Sequence, residues 1–334
     1  MGEIVGAGLL AHVPTIVLPD DLRRELNNGN ESTLYTGLKK LRTEVFDELK
    51  PDLVLVFDSH WFTTVEFVVT AAERRMGFFT SEELPRGMSS VPYDMPGDPD
   101  FARLIGKIAD ETDDCWITPI DNEHLPVTYA TLNFLSFLQG DEAWASIGVC
   151  QTAEIRDFAT VGRVVAQAVA QSDLRVVLIA SGALSHTFHK LRNLRAHEAA
   201  PEEHIYSDEA RHWDHRVIDA LVRGDHAQVV NEMDEFMSVR PEGHFAHYQM
   251  MVHALGGARC TAPGRMYSEY ENSIGTGQVH VWFDRPAGGW TDEGYVVPRS
   301  AVPANRRRRG VDTAAHAVAL LGRPPHGRIP NRPG

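Results

Sequence analysis

Three histidines of this 334-residue chain stand in equivalent places. His12 follows the apolar run 4–10 in LLAHVPT, His60 follows the run 53–57 in LVFDSHW, and His186 follows the run 176–180 in IASGALSH. Short Val/Ile/Leu-rich runs of this kind read as buried strands. If those strands are parallel neighbours, their carboxyl ends share one edge, where open α/β sheets place their sites. An imidazole there can ligate a metal or carry a proton near neutral pH. Two neutral imidazoles and a carboxylate make the facial triad that holds non-haem Fe(II), with three coordination positions open. The C-terminal half offers Glu242 as the carboxylate, in VRPEGHFAHYQ, just before a helical pattern. Alone, each histidine reads as an ordinary hydrogen-bonded one, and Glu242 as a solvated acid at a helix N-terminus.

Other clusters compete. His244 and His247 are three apart and could share a helix face, with His253 further along; His212 and His215 in RHWDHR have the same spacing. Neither pair forms HExxH, so a zincin site is not supported. Ser181 and Ser185 lie near His186, but the G-x-S-x-G elbow of serine hydrolases is missing. GTGQV at 275–279 lacks the length and the lysine of a phosphate loop and reads as a turn into the last strand.

The elements that must position these groups alternate. Strand-like runs lie at 4–10, 53–57, 65–70, 146–150, 176–180 and 278–283; helical patterns lie at 34–49, 99–110, 128–138, 159–171, 207–223, 226–235 and 245–255. This predicts an α/β fold, a central mostly parallel or mixed sheet flanked by helices. The composition, 43% hydrophobic and 23% charged, supplies a full core and excludes disorder of the whole chain. A formal charge of −14 repels phosphate and speaks against nucleic-acid partners. Cys115, Cys150 and Cys260 are scattered without a CxxC, as in a reducing compartment, and no apolar run reaches membrane-spanning length. The N-terminus reads as a first strand rather than a signal, so the expected location is the cytoplasm. Residues 286–334 carry eight Arg, three acids and seven prolines, a net of +5 that leaves −19 on residues 1–285. They read as an extended C-terminal tail, with one short helix at 313–321 and an Arg run at 306–309.

Taken together, LLAHVPT, VFDSHW, ASGALSH and the late GTGQV resemble the class III (LigB-type) extradiol ring-cleaving dioxygenases. The stretch TSEELPRGMSSVPYDMPGDPDFARLI is similar to the branch that cleaves 3,4-dihydroxyphenylacetate; the 2-aminophenol branch is a more distant likeness. The resemblance covers about residues 3–285, a single LigB-like catalytic domain, and leaves 286–334 as an extension. It implies that His12, His60 and Glu242 hold Fe(II), and that His186 is the acid–base histidine. It places Tyr129 where some relatives have a second catalytic histidine, with His124 as the substitute. Arg240, His244 and His247 become candidates to bind the substituent of a catecholic substrate. O2 is the co-substrate, no organic cofactor or external reductant is expected, and the implied assembly is a homo-oligomer. Rival readings are a cleaver of another catechol or of 2-aminophenol, a non-enzymatic metal-binding relative of the same fold, and a zinc hydrolase using the same histidines.

Overall fold

The computed structural model describes residues 1–291 apart from Arg86 and Asp114. Among these, the strands are β1 (Glu3–Leu10), β2 (Leu53–Thr63), β3 (Phe67–Thr70), β4 (Arg74–Phe79), β5 (Val91–Pro96), β6 (Ile117–Ile120), β7 (Ala143–Cys150), β8 (Arg175–Ser181), β9 (Gly264–Met266), β10 (Glu271–Ser273), β11 (Thr276–Gln278) and β12 (His280–Asp284). Eight of them form one sheet in the order β6-β3-β7-β2-β8-β1-β12-β9. The centre, β7-β2-β8-β1, is parallel. β3 runs against β7, and β12 against both β1 and β9, so the sheet is mixed, as expected. His12 and His186 follow β1 and β8, and His60 lies in the far half of β2; the three strands are adjacent and parallel, the arrangement that the shared-edge argument requires.

Side-chain alternation covers both faces of the sheet. Leu53, Leu55, Phe57, Leu178 and Ala180 pack with helices Pro99–Asp110, Ile155–Gln171 and Ala246–Ala254. Val54, Val56, Val177 and Ile179 pack on the other face with Leu34, Leu38 and Phe46 and with helix Tyr129–Leu138. These strand side chains are fully buried, and each large one contributes about 2 kcal/mol relative to exposure. Polar side chains fix the helix starts. Asp98 accepts from Phe101 N, Ser207 from Ala210 N, and Asp225 from Gln228 N. Each such cap is worth about 1 kcal/mol.

Several elements differ from the sequence reading. β2 does not stop at Phe57 but runs to Thr63 with a break in register. The β4–β5 hairpin, β6, β9 and β10 have no clear apolar alternation and were not expected. β6 carries Pro119, which its place at the sheet edge allows. The helical pattern at 226–235 is split at Glu232 into His226–Asn231 and Met233–Phe236. All three cysteines are free and buried, and no described helix is long and apolar enough to cross a membrane. The last described residues stay on the body: Trp290 Nε1 donates to Ile4 O, and Thr291 bridges Cys260. The rest of the expected tail, with its Arg run and its helix, lies outside the described residues.

Candidate metal centre and cavity

His12 leaves the end of β1 with its backbone already fixed. The Asn133 amide, from helix Tyr129–Leu138, donates to the carbonyls of His12 (2.6 Å) and Val13 (3.1 Å). Its Nδ1 lies 2.9 Å from Ser181 Oγ at the end of β8, and that hydroxyl gives its own proton to Ala130 O at 2.7 Å. Ser181 therefore accepts, His12 Nδ1 carries the hydrogen, and Nε2 keeps a bare lone pair. That is the tautomer a metal ligand needs.

His60 is presented by a bulge. Asp58 stands opposite Gly148 of β7 and Phe62 opposite the next residue, Val149, so Ser59, His60 and Trp61 loop out of the ladder. The buried Asp58 carboxylate holds the loop. Its Oδ1 accepts from the backbone N–H groups of His60 (2.9 Å) and Trp61 (3.0 Å), and its Oδ2 from the hydroxyls of Thr128 and Thr131. Burial, and then the neighbouring His12, lower the His60 imidazole below its ordinary value.

Glu242 sits on a strained turn. Arg240, Gly243, His244 and Phe245 all have positive φ, 53°, 53°, 59° and 56°. Such a conformation is unusual for a bulky residue and must be held by its surroundings. The bonds Glu242 N to Leu184 O and His186 N to Arg240 O fasten the turn to the loop after β8. The carboxylate is 4% exposed. Oε1 accepts from Ser59 Oγ (2.6 Å) and Oε2 from Ala183 N (2.5 Å). Oε1 also lies 3.4 Å from Nε2 of His12 and 3.4 Å from Nε2 of His60. Burial alone would raise this carboxyl; the imidazoles of His12, His186 and His60 outweigh it and hold it well below the carboxylate range. Ligand atoms about 2.1 Å from one ion and at right angles lie about 3.0 Å apart. The three residues therefore fit a facial site, and they are the one such His/Cys/Asp/Glu group among the described residues.

The triad lies on a cavity of about 350 Å³, also lined by Tyr129, Glu83, His186 and Phe188. The Tyr129 hydroxyl donates to Glu83 Oε2 (2.8 Å) and lies 2.7 Å from His60 Nε2. Burial, then Glu83, pushes the phenol far up, so it stays protonated. The ring of His186 meets that of Phe188 edge-on, 4.7 Å between centroids. Its loop is anchored one residue earlier. The Ser185 N–H and hydroxyl both donate to the buried Asp214 (2.9 and 2.6 Å), which also accepts from Tyr270 (2.5 Å). Burial lifts the Asp214 carboxyl to about 6. GTGQV completes the anchor: Gly277 N donates to Ser185 O, and a Cβ at Gly277 would meet Asp214 Oδ2 at 2.0 Å. Most of the motif is strand β11 rather than the expected turn; only Gly275 belongs to the turn of the β10–β11 hairpin. With Ser181 and Ser185 both committed, the structure offers no hydrolase nucleophile there.

Other sequence candidates lie elsewhere. The side chain of His124 is 86% exposed, on a separate surface groove. Arg240 and His244 are exposed and not on the cavity lining. His247 is wholly buried behind Glu242, packed on Gly182 and Phe245, and burial takes its pKa down to about 4. The expected shared helix face fails because the helix begins only at Ala246, after three positive-φ residues. His215 pairs with Glu202 on the surface. Sequence reasoning missed Asp58, Glu83, Asn133 and Asp214. Asp58 and Glu83 fall inside the quoted motifs VFDSHW and TSEELP, which was the available signal.

Residues 6–284 match the family described as "Catalytic LigB subunit of aromatic ring-opening dioxygenase". The chain belongs to the LigB family. This bears out the expected kinship with extradiol ring-cleaving dioxygenases. A 3,4-dihydroxyphenylacetate 2,3-dioxygenase of Escherichia coli is 26% identical over 263 residues, 77% of this chain and 91% of the relative. A 2-aminophenol 1,6-dioxygenase beta subunit of a Pseudomonas species is 23% identical over 252 residues, 71% of this chain and 80% of the relative. A crystal structure of an uncharacterized Escherichia coli K12 protein superposes with TM-score 0.57 at 17% identity, over 84% of this chain and 99% of that one; the likeness is one of fold. This LigB chain is thus an aromatic ring-opening dioxygenase with three residues able to hold a metal.

Proposed function

We propose that this LigB protein opens a catecholic ring by extradiol (meta) cleavage with O2, using Fe(II) held by His12, His60 and Glu242. The observation that carries the reading is the pair of 3.4 Å separations between two Nε2 atoms and one carboxylate oxygen, on a cavity of ring size. Bound there, ferrous iron supplies Lewis acidity and the redox chemistry that joins a catechol to O2. The chain supplies the rest. The tautomer fixed by Ser181 keeps His12 Nε2 free of a proton. His186, on the cavity lining, takes the proton from a substrate hydroxyl and returns it on ring opening. Tyr129, held protonated, presents its hydroxyl beside His60. Apolar groups such as Val13, Pro14 and Leu84 keep water from the ring. Both atoms of O2 enter the product, a hydroxymuconic semialdehyde, so the reaction balances without an external reductant.

On the likeness to the Escherichia coli relative, 3,4-dihydroxyphenylacetate is the first substrate to test. A second reading, another catechol or 2-aminophenol, is favoured by the acidic side chains on the cavity lining. The proposal takes residues 1–285 as the catalytic domain of a cytoplasmic homo-oligomer and 286–334 as its extension. The test is anaerobic reconstitution with Fe(II), then oxygen uptake and appearance of yellow product with a panel of catechols. Replacing His12, His60 or Glu242 by Ala should abolish iron binding with the circular dichroism unchanged. His186→Phe should keep the iron and lose most turnover. Tightly held stoichiometric zinc, with no oxygen uptake on any catechol, would overturn the proposal in favour of a hydrolase or a binding protein.

A further inference from the structure

The cavity that receives the ring must also receive whatever the ring carries. A carboxylate substituent needs a cation or several free donors. Among the described residues, Arg23 is the one lysine or arginine on the cavity lining, and it is spent. It is 3% exposed. Its Nε and Nη2 donate to the two oxygens of Glu31 (2.5 and 2.7 Å), Nη2 also to Asp20 (2.8 Å), and Nη1 to Leu18 O (2.8 Å). The guanidinium lies flat on Tyr35, 3.5 Å from the ring centroid. Arg24 Nε also lies 3.5 Å from Glu31, so two guanidinium groups face two carboxylates and the cluster has no net positive charge to offer the cavity.

The remaining charges on the lining are acids. Glu271 is committed: its oxygens accept from Ser32 Oγ (2.6 Å), Thr33 N (2.5 Å) and Thr33 Oγ1 (2.5 Å), holding the start of helix Thr33–Leu41. Glu83 takes the Tyr129 hydroxyl. Glu198 differs. It closes the turn Leu191–His197 on the segment that also brings Phe188 and Leu194 to the cavity, and its carboxylate has no hydrogen bond or ion pair among the described residues. Some of the neutral donors are used as well. The Asn272 amide donates to the carbonyls of His197 and Ala199, and the Gln278 amide to Thr276.

We propose that the cavity selects a catecholic ring whose substituent is uncharged or cationic, and that Glu198 is the residue that sets this preference. The inference rests on the reading of the cavity as the seat of a catechol. It runs against a carboxylate-bearing substrate such as 3,4-dihydroxyphenylacetate. An anion in this space would meet the Glu198 carboxylate, with no unpaired lysine or arginine among the described residues of the lining to answer it. An alkyl or aminoalkyl chain would meet Leu26, Leu194 and Ile274, with Glu198 available to a cationic end.

The experiment is an anaerobic equilibrium titration of the Fe(II)-loaded full chain with 4-methylcatechol, 3,4-dihydroxyphenethylamine and 3,4-dihydroxyphenylacetate, followed by kcat/KM for each in air. 4-Methylcatechol and the amine should bind at least tenfold more tightly than the acid. Glu198→Gln should narrow the ratio of methylcatechol to acid at least threefold, and Glu198→Lys should bring the acid level or ahead. Iron content and circular dichroism establish that the variants are folded. Tighter binding of the acid by the wild type, or a ratio unmoved by both variants, would overturn the proposal. If the binding order holds but no catechol is consumed, ring cleavage is the reading that fails. If all are consumed with the acid preferred, cleavage stands and this inference falls. If none binds, both fall.

Discussion

Ser181 offers the sharpest test of how the metal centre is made. Its hydroxyl accepts from His12 Nδ1 at 2.9 Å and donates to Ala130 O at 2.7 Å, with both partners buried. In Ser181→Ala the His12 ring loses the one acceptor that fixes its hydrogen on Nδ1. The nearest remaining acceptor is Glu242 Oε1, 3.4 Å from Nε2. The hydrogen therefore moves to Nε2, the atom that must be bare to bind a metal, and each binding event has first to displace it. Loss of an outer partner of a ligating histidine typically costs 10–100-fold in metal affinity, about 1.4–2.7 kcal/mol. The fold should lose only about 1 kcal/mol for the hydrogen bond itself. The assay is competition for Fe(II), or for Zn(II) as a redox-silent probe, against a coloured chelator, with thermal unfolding measured alongside. Ser185→Ala is the control. Four residues along the same loop, it breaks the link to Asp214 and not the link to His12. It should leave metal affinity within about twofold and lower turnover through a misplaced His186. Wild-type metal affinity in Ser181→Ala, or equal losses in both variants, would refute the tautomer argument.

Two further outcomes follow from groups outside the triad. Asp58→Ala removes the acceptor of four hydrogen bonds that hold the His60 bulge, and should cost about 3 kcal/mol of stability and most metal binding; denaturant titration and metal content check both. His280 is wholly buried: its Nδ1 accepts from Ala11 N (3.1 Å), its Nε2–H donates to Leu34 O (3.0 Å), and burial takes its pKa down to about 4. Between its unfolded value of about 6.5 and about 4 the unfolded state binds the extra proton, so the stability from this group is complete above pH 6.5 and is lost as pH falls through that window, on the order of 3 kcal/mol in all. His280→Gln should flatten that part of the unfolding free energy against pH, and an unchanged acid slope would show that His280 does not carry it.

How much of this was legible in the sequence varies with the physics behind each part. The strands bearing His12, His60 and His186 are short buried runs, and their apolar patterns survive in any reading that looks for them. That β2, β8 and β1 are neighbours is a matter of topology and could only be posed as a condition. Glu242 lies more than 180 residues from His60, on a turn whose positive φ at Phe245 no propensity foretells, so the family motif rather than the spacing pointed to it. The errors have local causes. Nothing in LVFDSHW announces a bulge, so the pattern places His60 after the strand; the reason for the bulge is Asp58, visible only once its four donors are in place. The spacing of His244 and His247 suits a shared helix face only if the helical period runs through residues that are in fact left-handed. The nearness of His124 to Tyr129 in the chain says nothing of the exposed turn on which it sits.

The serines of the two histidine motifs show how the site is braced. Ser59, beside the proposed ligand His60 on β2, holds not that histidine but the carboxylate of Glu242. Ser181, at the end of β8 in the motif of His186, holds not that histidine but His12 at the end of β1. Ser185 ties the His186 loop to Asp214 on helix Asp208–Arg223. His12 and Glu242 are thus each oriented from an element other than their own. A one-residue slip of β8 against β1 would turn Ser181 to the opposite face of the sheet and leave His12 without its acceptor. The site therefore exists only once the parallel register β2-β8-β1 is complete, and a metal bound there would add its free energy to that register, since an ion that binds only the folded state stabilises it. Substitutions at Ser59, Ser181 and the three proposed ligands should then couple rather than add, because each removes a support of its neighbour.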